Sequence, residues 1–228
     1  PVGFEGHGDG LEPVVGHCHA RIGFIPHYPS HDWYRNMRRA MQARAEAWGM
    51  ELVVAAPQAG IARELATLHR DIARAAAAKV APGETILVNH GDISLLFADE
   101  LASIGDLTVV TNSLDVLERL TGRGSIKVTL TSGELHAKAR CLVGPSLGAL
   151  FETMRVDKAF LAVDGMSARF GPSAIDERMA LAARRFADAS RSVIVLADHS
   201  IVGQDANHRI ISAERVNQLV TDSGSLPA

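Results

Sequence analysis

Residues 86–96 read Ile-Leu-Val-Asn-His-Gly-Asp-Ile-Ser-Leu-Leu: a short buried-type strand, the turn Asn89-His90-Gly91-Asp92, then an apolar run of helical character. A glycine turn where a strand enters a helix aims backbone N–H groups at open space, the arrangement that commonly receives a phosphate. Here the turn carries a His and an Asp where a phosphate cradle has small hydroxyl residues. The strand–turn–helix pattern sets the architecture, and the odd turn chemistry sets the functional question.

Outward from this stretch the alternation repeats. Upstream, residues 21–25 and 50–56 read as strands flanking a helix over 33–48, a βαβ unit whose strands should be parallel, and 61–80 reads as an Ala-rich helix that ends before Pro82-Gly83. Downstream, strands are expected over 106–112, 125–133, 156–165 and 191–198, with helices over 95–104, 113–122, 144–156 and 176–190, and an edge strand at 217–222. Alternating strands and helices predict an α/β fold with a mainly parallel, doubly wound sheet. In such sheets ligands lie beyond the carboxyl ends of the strands, here the turns HGD, TNS, TSGE, VDGM and LADHS.

Composition narrows the classes. The chain has 228 residues, 47% apolar and 21% charged, long enough for a sizeable core. It has no run of about 18 apolar residues and no signal-type start, which points to the cytoplasm and away from a membrane. Cys18 and Cys141 form no disulfide framework. A net charge of -3 leaves little field to attract nucleic acid, so this chain alone should bind DNA poorly. Arg35, Arg38, Arg39 and Arg44 read as the solvated face of the first helix.

Residues 1–20 carry five Gly and two Pro without an apolar period and read as a linker; a first residue of Pro rather than Met points to a segment upstream. The cluster His17-Cys18-His19, with His7, offers too few converging ligands for a metal, and no metal or other cofactor is expected.

Five segments, in this order and spacing, carry a resemblance: Thr108–Leu114, Leu130–Leu135, Leu142–Pro145, Val156–Leu161 and Val195–Asp198. Together they resemble the C-terminal sensor domain of DeoR-family transcriptional regulators, over Ile61 to Asp222. The resemblance implies a sugar-phosphate isomerase-like α/β sensor, a helix-turn-helix upstream, and a repressor tuned on operator DNA by a phosphorylated sugar. Two-fold operators favour a homodimer or homotetramer.

Three departures from the family pattern stand out. The family's hydroxyl-rich phosphate loop is replaced by Asn89-His90-Gly91-Asp92, with Ser94 following, so that Asp92 is either a helix cap or an acceptor for ligand hydroxyls. At the end of the last strong strand, Asp198-His199-Ser200 runs into Ile201 where the family has a lysine; His90 and His199 are candidate replacements for the lost donors. The third is the βαβ unit over 21–60, which resembles the opening unit of periplasmic sugar-binding proteins and LacI-family sensors; by position its ligand contacts would be His31, Trp33 and Tyr34, with Tyr28 and Asp32 as neighbours. The alternative takes Trp33 and Tyr34 as the apolar start of the amphipathic helix. An effector larger than a monosaccharide phosphate, such as a sugar phosphodiester, would fit these departures.

The remaining candidate ligand contacts lie at strand ends: Asn112, Ser113, Ser132, Gly133, Glu134, Asp164 and Gly165, with Lys138 and Arg140 either neutralising an anionic ligand or solvated. The chain thus divides into a linker at 1–20, the βαβ unit at 21–60, the sensor at 61–222 and a tail at 223–228. The alternatives are a sugar-phosphate isomerase or deaminase using Asp164 or Glu134 as base, or a stand-alone sugar-binding module. Loss of the phosphate anchor argues against the enzyme, and no catalytic residue is assigned. Glu177 reads mainly as a favourable charge at a helix start.

Overall fold

The computed structural model describes residues 21–24, 51–54, 59–123 and 125–222, with side chains from residue 65 onward. The expected linker, the helix over 33–48, the tail, and Tyr28, His31, Asp32, Trp33 and Tyr34 lie outside the described residues. The chain divides into two compact units, Pro1–Arg63 and Glu64–Ala228. In the first, strands β1 (Arg21–Phe24) and β2 (Glu51–Val54) pair in parallel, Arg21 opposite Glu51 and Phe24 opposite Val54, as a βαβ unit requires.

The second unit is built on six parallel strands: β3 (Thr85–Val88), β4 (Thr108–Thr111), β5 (Lys127–Leu130), β8 (Val156–Ala162), β11 (Ser190–Leu196) and β13 (Gln218–Val220). Their order across the sheet is β13-β11-β8-β3-β4-β5. The chain therefore builds outward from β3 through β4 to β5, then crosses back to β8 and builds the other way. The reversal lies between β3 and β8, which pair in parallel from Ile86–Lys158 to Val88–Phe160. Each strand was legible as a β-branched or apolar run, and β13 holds the edge position expected of it.

Period-two alternation sends the side chains of each strand to two cores. On one face Ile86, Val88, Val109, Phe160, Ile194 and Leu196 pack against helices α1 (Ala59–Ala77), α2 (Asp92–Leu101) and α3 (Leu114–Leu120), through Ile72, Ala76, Phe97, Leu101, Val116 and Leu120. The rings of Phe97 and Phe160 pack tilted by 39°, with centroids 4.5 Å apart. On the other face Leu87, Val110, Ala159 and Leu161 pack against helix α4 (Glu177–Ala189) and the segment Pro145–Glu152. Phe151 and Phe186 meet edge-on at 5.7 Å between those two elements.

Three features differ from the sequence reading. The expected helix over 144–156 is a 3-10 segment, Pro145–Glu152, with Gly148, a poor former of α-helix, in its interior. The strand expected over 125–133 stops at Leu130, and Glu134 instead opens a hairpin, β6 (Glu134–His136) with β7 (Cys141–Val143). A small antiparallel sheet of order β12-β10-β9 forms from β9 (Gly165–Ser167), β10 (Gly171–Ala174) and β12 (His208–Arg209). Among the described residues no helix is long and apolar enough to cross a membrane.

Candidate functional site

Between β3 and β8 the strand order reverses and adjacent connections diverge to opposite faces, the place at the carboxyl edge where sheets of this kind form a ligand crevice. The turn after β3 enters it. Gly91 takes φ 130°, accessible to glycine, and a Cβ there would lie 3.1 Å from Cβ of Ala162 on β8. The glycine lets the turn press against the neighbouring strand.

Asn89 fixes that contact from inside. Its Nδ2 donates to the Ala162 carbonyl at 2.8 Å, its Oδ1 accepts from the Ala162 N–H at 2.8 Å, and Ser94 Oγ donates to the same Oδ1 at 3.1 Å. Both residues are buried, and both complete the joint between β3 and β8. Asp92 is the first residue of α2, exposed, and makes no cap with its side chain; Gly91 holds the cap position.

Beyond the joint, polar groups are left over. Among the described residues the buried side-chain atoms without a hydrogen-bond partner are His90 Nδ1, Asn112 Oδ1, Thr131 Oγ1 and Thr221 Oγ1. Each lies one or two residues past the end of a strand of the main sheet: β3, β4, β5 and β13 respectively. Three belong to adjacent strands. Val88 is opposite Thr111 and Thr111 opposite Leu130, so Asn112 and Thr131 follow abreast, with strands about 4.8 Å apart. A buried polar atom left unpaired costs about 1–3 kcal/mol, so a row of them is a place where a ligand regains what folding gave up.

The hairpin β6–β7 crosses the end of β4. Leu142 N donates to Asn112 O at 2.7 Å and Asn112 Nδ2 donates to Leu142 O at 2.9 Å, which fixes the amide with Oδ1 facing away from that carbonyl. Gly133 makes the crossing possible: at φ 147°, a Cβ would lie 2.6 Å from the Val143 carbonyl oxygen. Ser132 Oγ donates to the Ser146 carbonyl at 2.7 Å. Ser113 is the buried cap of α3, accepting from Val116 N at 3.2 Å.

From the other side come Asp164 and Asp176. Asp164 follows β8, and its Oδ2 accepts from Ile175 N at 2.8 Å, tying the strand end to the start of α4. Gly165 is buried in the small sheet, where a Cβ would lie 2.8 Å from both Ala206 N and Gln204 O. Asp176 caps α4, accepting from Arg178 N at 2.9 Å and Met179 N at 3.2 Å. Burial works to raise its pKa, yet these two backbone donors, with Arg178 and His136, hold it below the usual carboxylate range. His136 Nε2 lies 3.7 Å from Asp176 Oδ2.

His90 stands in this group. Burial pushes its pKa down; Asp164 works against that, His136 reinforces it and Asp176 opposes it, leaving the imidazole below its ordinary value and neutral at pH 7. The charges acting on the ring are thus two carboxylates and one imidazole. Arg140 is turned elsewhere: its guanidinium donates to Asp115 at 2.5 Å and to Glu118 at 2.8 Å on α3. Glu134 and Lys138 are exposed on the hairpin and its turn, and Glu177 lines a separate hollow of 460 Å³ beside Phe170 and Leu181.

The β11 end of the edge is differently built. Asp198 Oδ2 lies 2.9 Å from His69 Nε2 of α1, and its Oδ1 accepts from Ser200 N and Oγ at 2.9 and 2.5 Å. Burial raises the Asp198 pKa, but the bonds from His69 and Ser200 outweigh it and bring the carboxyl down to about 2. His199 is bonded to Asp222, through its backbone N–H to Oδ1 and its Nδ1 to Oδ2, both at 2.8 Å.

Of the predicted contacts, the structure therefore brings His90, Asn112 and Asp164 to one crevice with Asn89, Gly91 and Ser94 as its joint. Arg140 and Ser113 serve α3. Thr131, His136 and Asp176 were not singled out from sequence; Thr131 was reachable as the first residue past a strand, and Asp176 as a helix cap, whereas His136 reaches the crevice only through the hairpin.

The family model for the DeoR C terminal sensor domain matches residues 66–223. The chain is 34% identical over 157 residues to the uncharacterized HTH-type transcriptional regulator YulB of Bacillus subtilis (strain 168), covering 69% of this chain and 60% of that protein. It is 26% identical over 152 residues to the glycerol-3-phosphate regulon repressor of Escherichia coli (strain K12), covering 67% of this chain and 60% of the repressor. The chain thus spans about 60% of the length of these relatives. Among solved structures, eIF2B beta from Chaetomium thermophilum superposes with a TM-score of 0.51 at 14% identity, over 83% of this chain and 58% of that chain, a likeness of fold.

Proposed function

We propose, from the premise that this chain belongs to the DeoR C terminal sensor domain family, that it is the effector-binding part of a transcriptional repressor. Its effector is a sugar-derived, phosphorylated metabolite bound at the β3–β8 crevice. Occupancy of the crevice alters DNA binding by a helix-turn-helix segment elsewhere in the whole protein, as the name of one relative suggests for that relative. A coupling of about 1–3 kcal/mol is enough for useful control. The whole protein acts in the cytoplasm as a homodimer or homotetramer, matching a two-fold operator.

The observation that carries this reading is the row of unpartnered polar atoms, His90 Nδ1, Asn112 Oδ1 and Thr131 Oγ1, that starts beside the reversal of strand order and runs outward past the ends of β3, β4 and β5. Asp164, predicted as a hydroxyl acceptor, has the place for that role at the rim. Residues 21–60 we assign as a sugar-binding-protein-like unit whose turn, with Tyr28, His31, Asp32, Trp33 and Tyr34, also reads a sugar; the parallel pairing of β1 and β2 supports its βαβ topology.

A thermal-shift screen with sugars, sugar monophosphates and sugar phosphodiesters tests the effector reading. At a hundred times its dissociation constant an effector adds about 2.7 kcal/mol, a rise of roughly 5–10 °C for a domain of this size. The rise should vanish in Asn112→Leu. A rise unchanged in that variant places the effector elsewhere.

A further inference from the structure

Two observations bear on which end of an effector the crevice receives. The first is the polarity of the unpartnered atoms. Asn112 Oδ1 can only accept a hydrogen bond, and the amide cannot turn over to offer a donor, because Nδ2 is spent on the Leu142 carbonyl. Asn112 is 1% exposed and the neighbouring Thr131, whose hydroxyl either donates or accepts, is 3% exposed. A phosphomonoester in its dianionic form brings acceptors to this place and no donor. A sugar hydroxyl brings both.

The second is charge. The titratable groups acting on His90 are Asp164, His136 and Asp176, and Asp92 at the start of α2 adds a further exposed carboxylate two residues along the chain. Asp164 Oδ2 is held by Ile175 N, and its Oδ1 has no hydrogen-bond partner among the described residues. Arg140 is committed to Asp115 and Glu118, and Arg178 lies 3.8 Å from Asp176, itself already holding two backbone donors. A dianion at the turn after β3 meets carboxylates, whereas a hydroxyl meets acceptors.

We propose that the ends of β8, β3, β4 and β5 form a hydroxyl-reading subsite, with Asp164 and Asn112 as acceptors and Thr131 completing the row, and that any phosphate of the effector is held away from the Asn89–Asp92 turn. The inference rests on the crevice reading above and specifies its chemistry. Asn112 and Thr131 are then the residues that set specificity, by rejecting a ligand that leaves them unpaired. The atoms are enclosed, so the subsite is filled when the turns at the strand ends part to admit the ligand.

The test uses small probes on the full 228-residue chain, followed by side-chain amide and methyl NMR signals. Glycerol and inorganic phosphate are titrated separately, with the side-chain amide of Asn217, whose Oδ1 already accepts from Val193 N, as internal reference. The expected result is a saturable change at the Asn112 amide and the Thr131 methyl with glycerol, absent with phosphate at equal concentration. Asn112 should respond at least threefold more weakly to glycerol in Thr131→Val. Phosphate moving these signals more strongly than glycerol overturns the hydroxyl assignment and leaves the crevice as the effector site. Neither probe moving them overturns both the subsite and the crevice reading.

Discussion

The two halves of the carboxyl edge are built on opposite principles. Beyond β11 the polar side chains of the turn are paired: Asp198 with His69 and Ser200, His199 with Asp222. Beyond β3, β4 and β5, three buried atoms are unmatched. Thr221, past the outermost strand, is the exception on the satisfied side. Polar side chains at strand ends thus divide into those whose hydrogen bonds are complete within the fold and those that keep a buried atom unpaired, and the proposed subsite rests on the second kind.

This contrast breaks most readily at His69. Replacing it by Leu leaves a carboxylate buried beside Ser200 alone, and His69→Leu should lower stability by about 3 kcal/mol, seen as a drop of roughly 6–12 °C in melting midpoint. A drop under a degree would show that the pair is ornamental.

Acid should reach the same group. The Asp198 carboxyl, at about 2 in the folded chain against an ordinary 3.8, stabilises the fold above that ordinary value. The contribution is lost as pH falls from there through about 2 and is worth about 2 kcal/mol. Urea unfolding between pH 5 and 2.5 should show a shallower fall in Asp198→Asn than in the parent. Parallel curves would remove Asp198 from the acid response.

Asn89 sharpens the comparison from within the crevice. Although it was expected from sequence to touch ligand, its amide is spent on Ala162, so Asn89→Ala should cost about 2 kcal/mol by equilibrium unfolding, chiefly through the stranded Ala162 N–H. A neutral result would mean that the joint is replaceable. Thr131→Val should have the smallest effect on folding and the opposite sign, gaining from zero to about 1 kcal/mol, because it removes a hydroxyl that has no partner. Loss of stability there would show that Thr131 is satisfied after all.

Sequence carried the main sheet well. Runs such as Ile-Leu-Val at 86–88 and Val-Ile-Val-Leu at 193–196 announce buried parallel strands, and the helices between them carry clear apolar faces. The hairpin β6–β7 and the small sheet escaped because strands such as Glu-Leu-His and Gly-Pro-Ser-Ala have no β-branched residue and no apolar run to signal them. The site was half legible. Position at a strand end is visible in sequence and found His90, Asn112 and Asp164; whether a side chain there is already paired is not. Asp198 and His69 are 129 residues apart, so nothing local tells that this carboxylate is spoken for.

The position of β3 has a kinetic consequence. It is the strand against which both halves of the sheet must assemble: β4 arrives through one short local crossover, whereas β8 arrives only after β5 and the hairpin have been passed. Closing that longer loop carries the greater entropy cost, so docking of β8 on β3 should limit the rate of folding. Phe160, packed against Phe97 of the helix that follows β3, is then a side chain whose truncation slows folding, while truncation at the late-joining edge strand β13 mainly speeds unfolding.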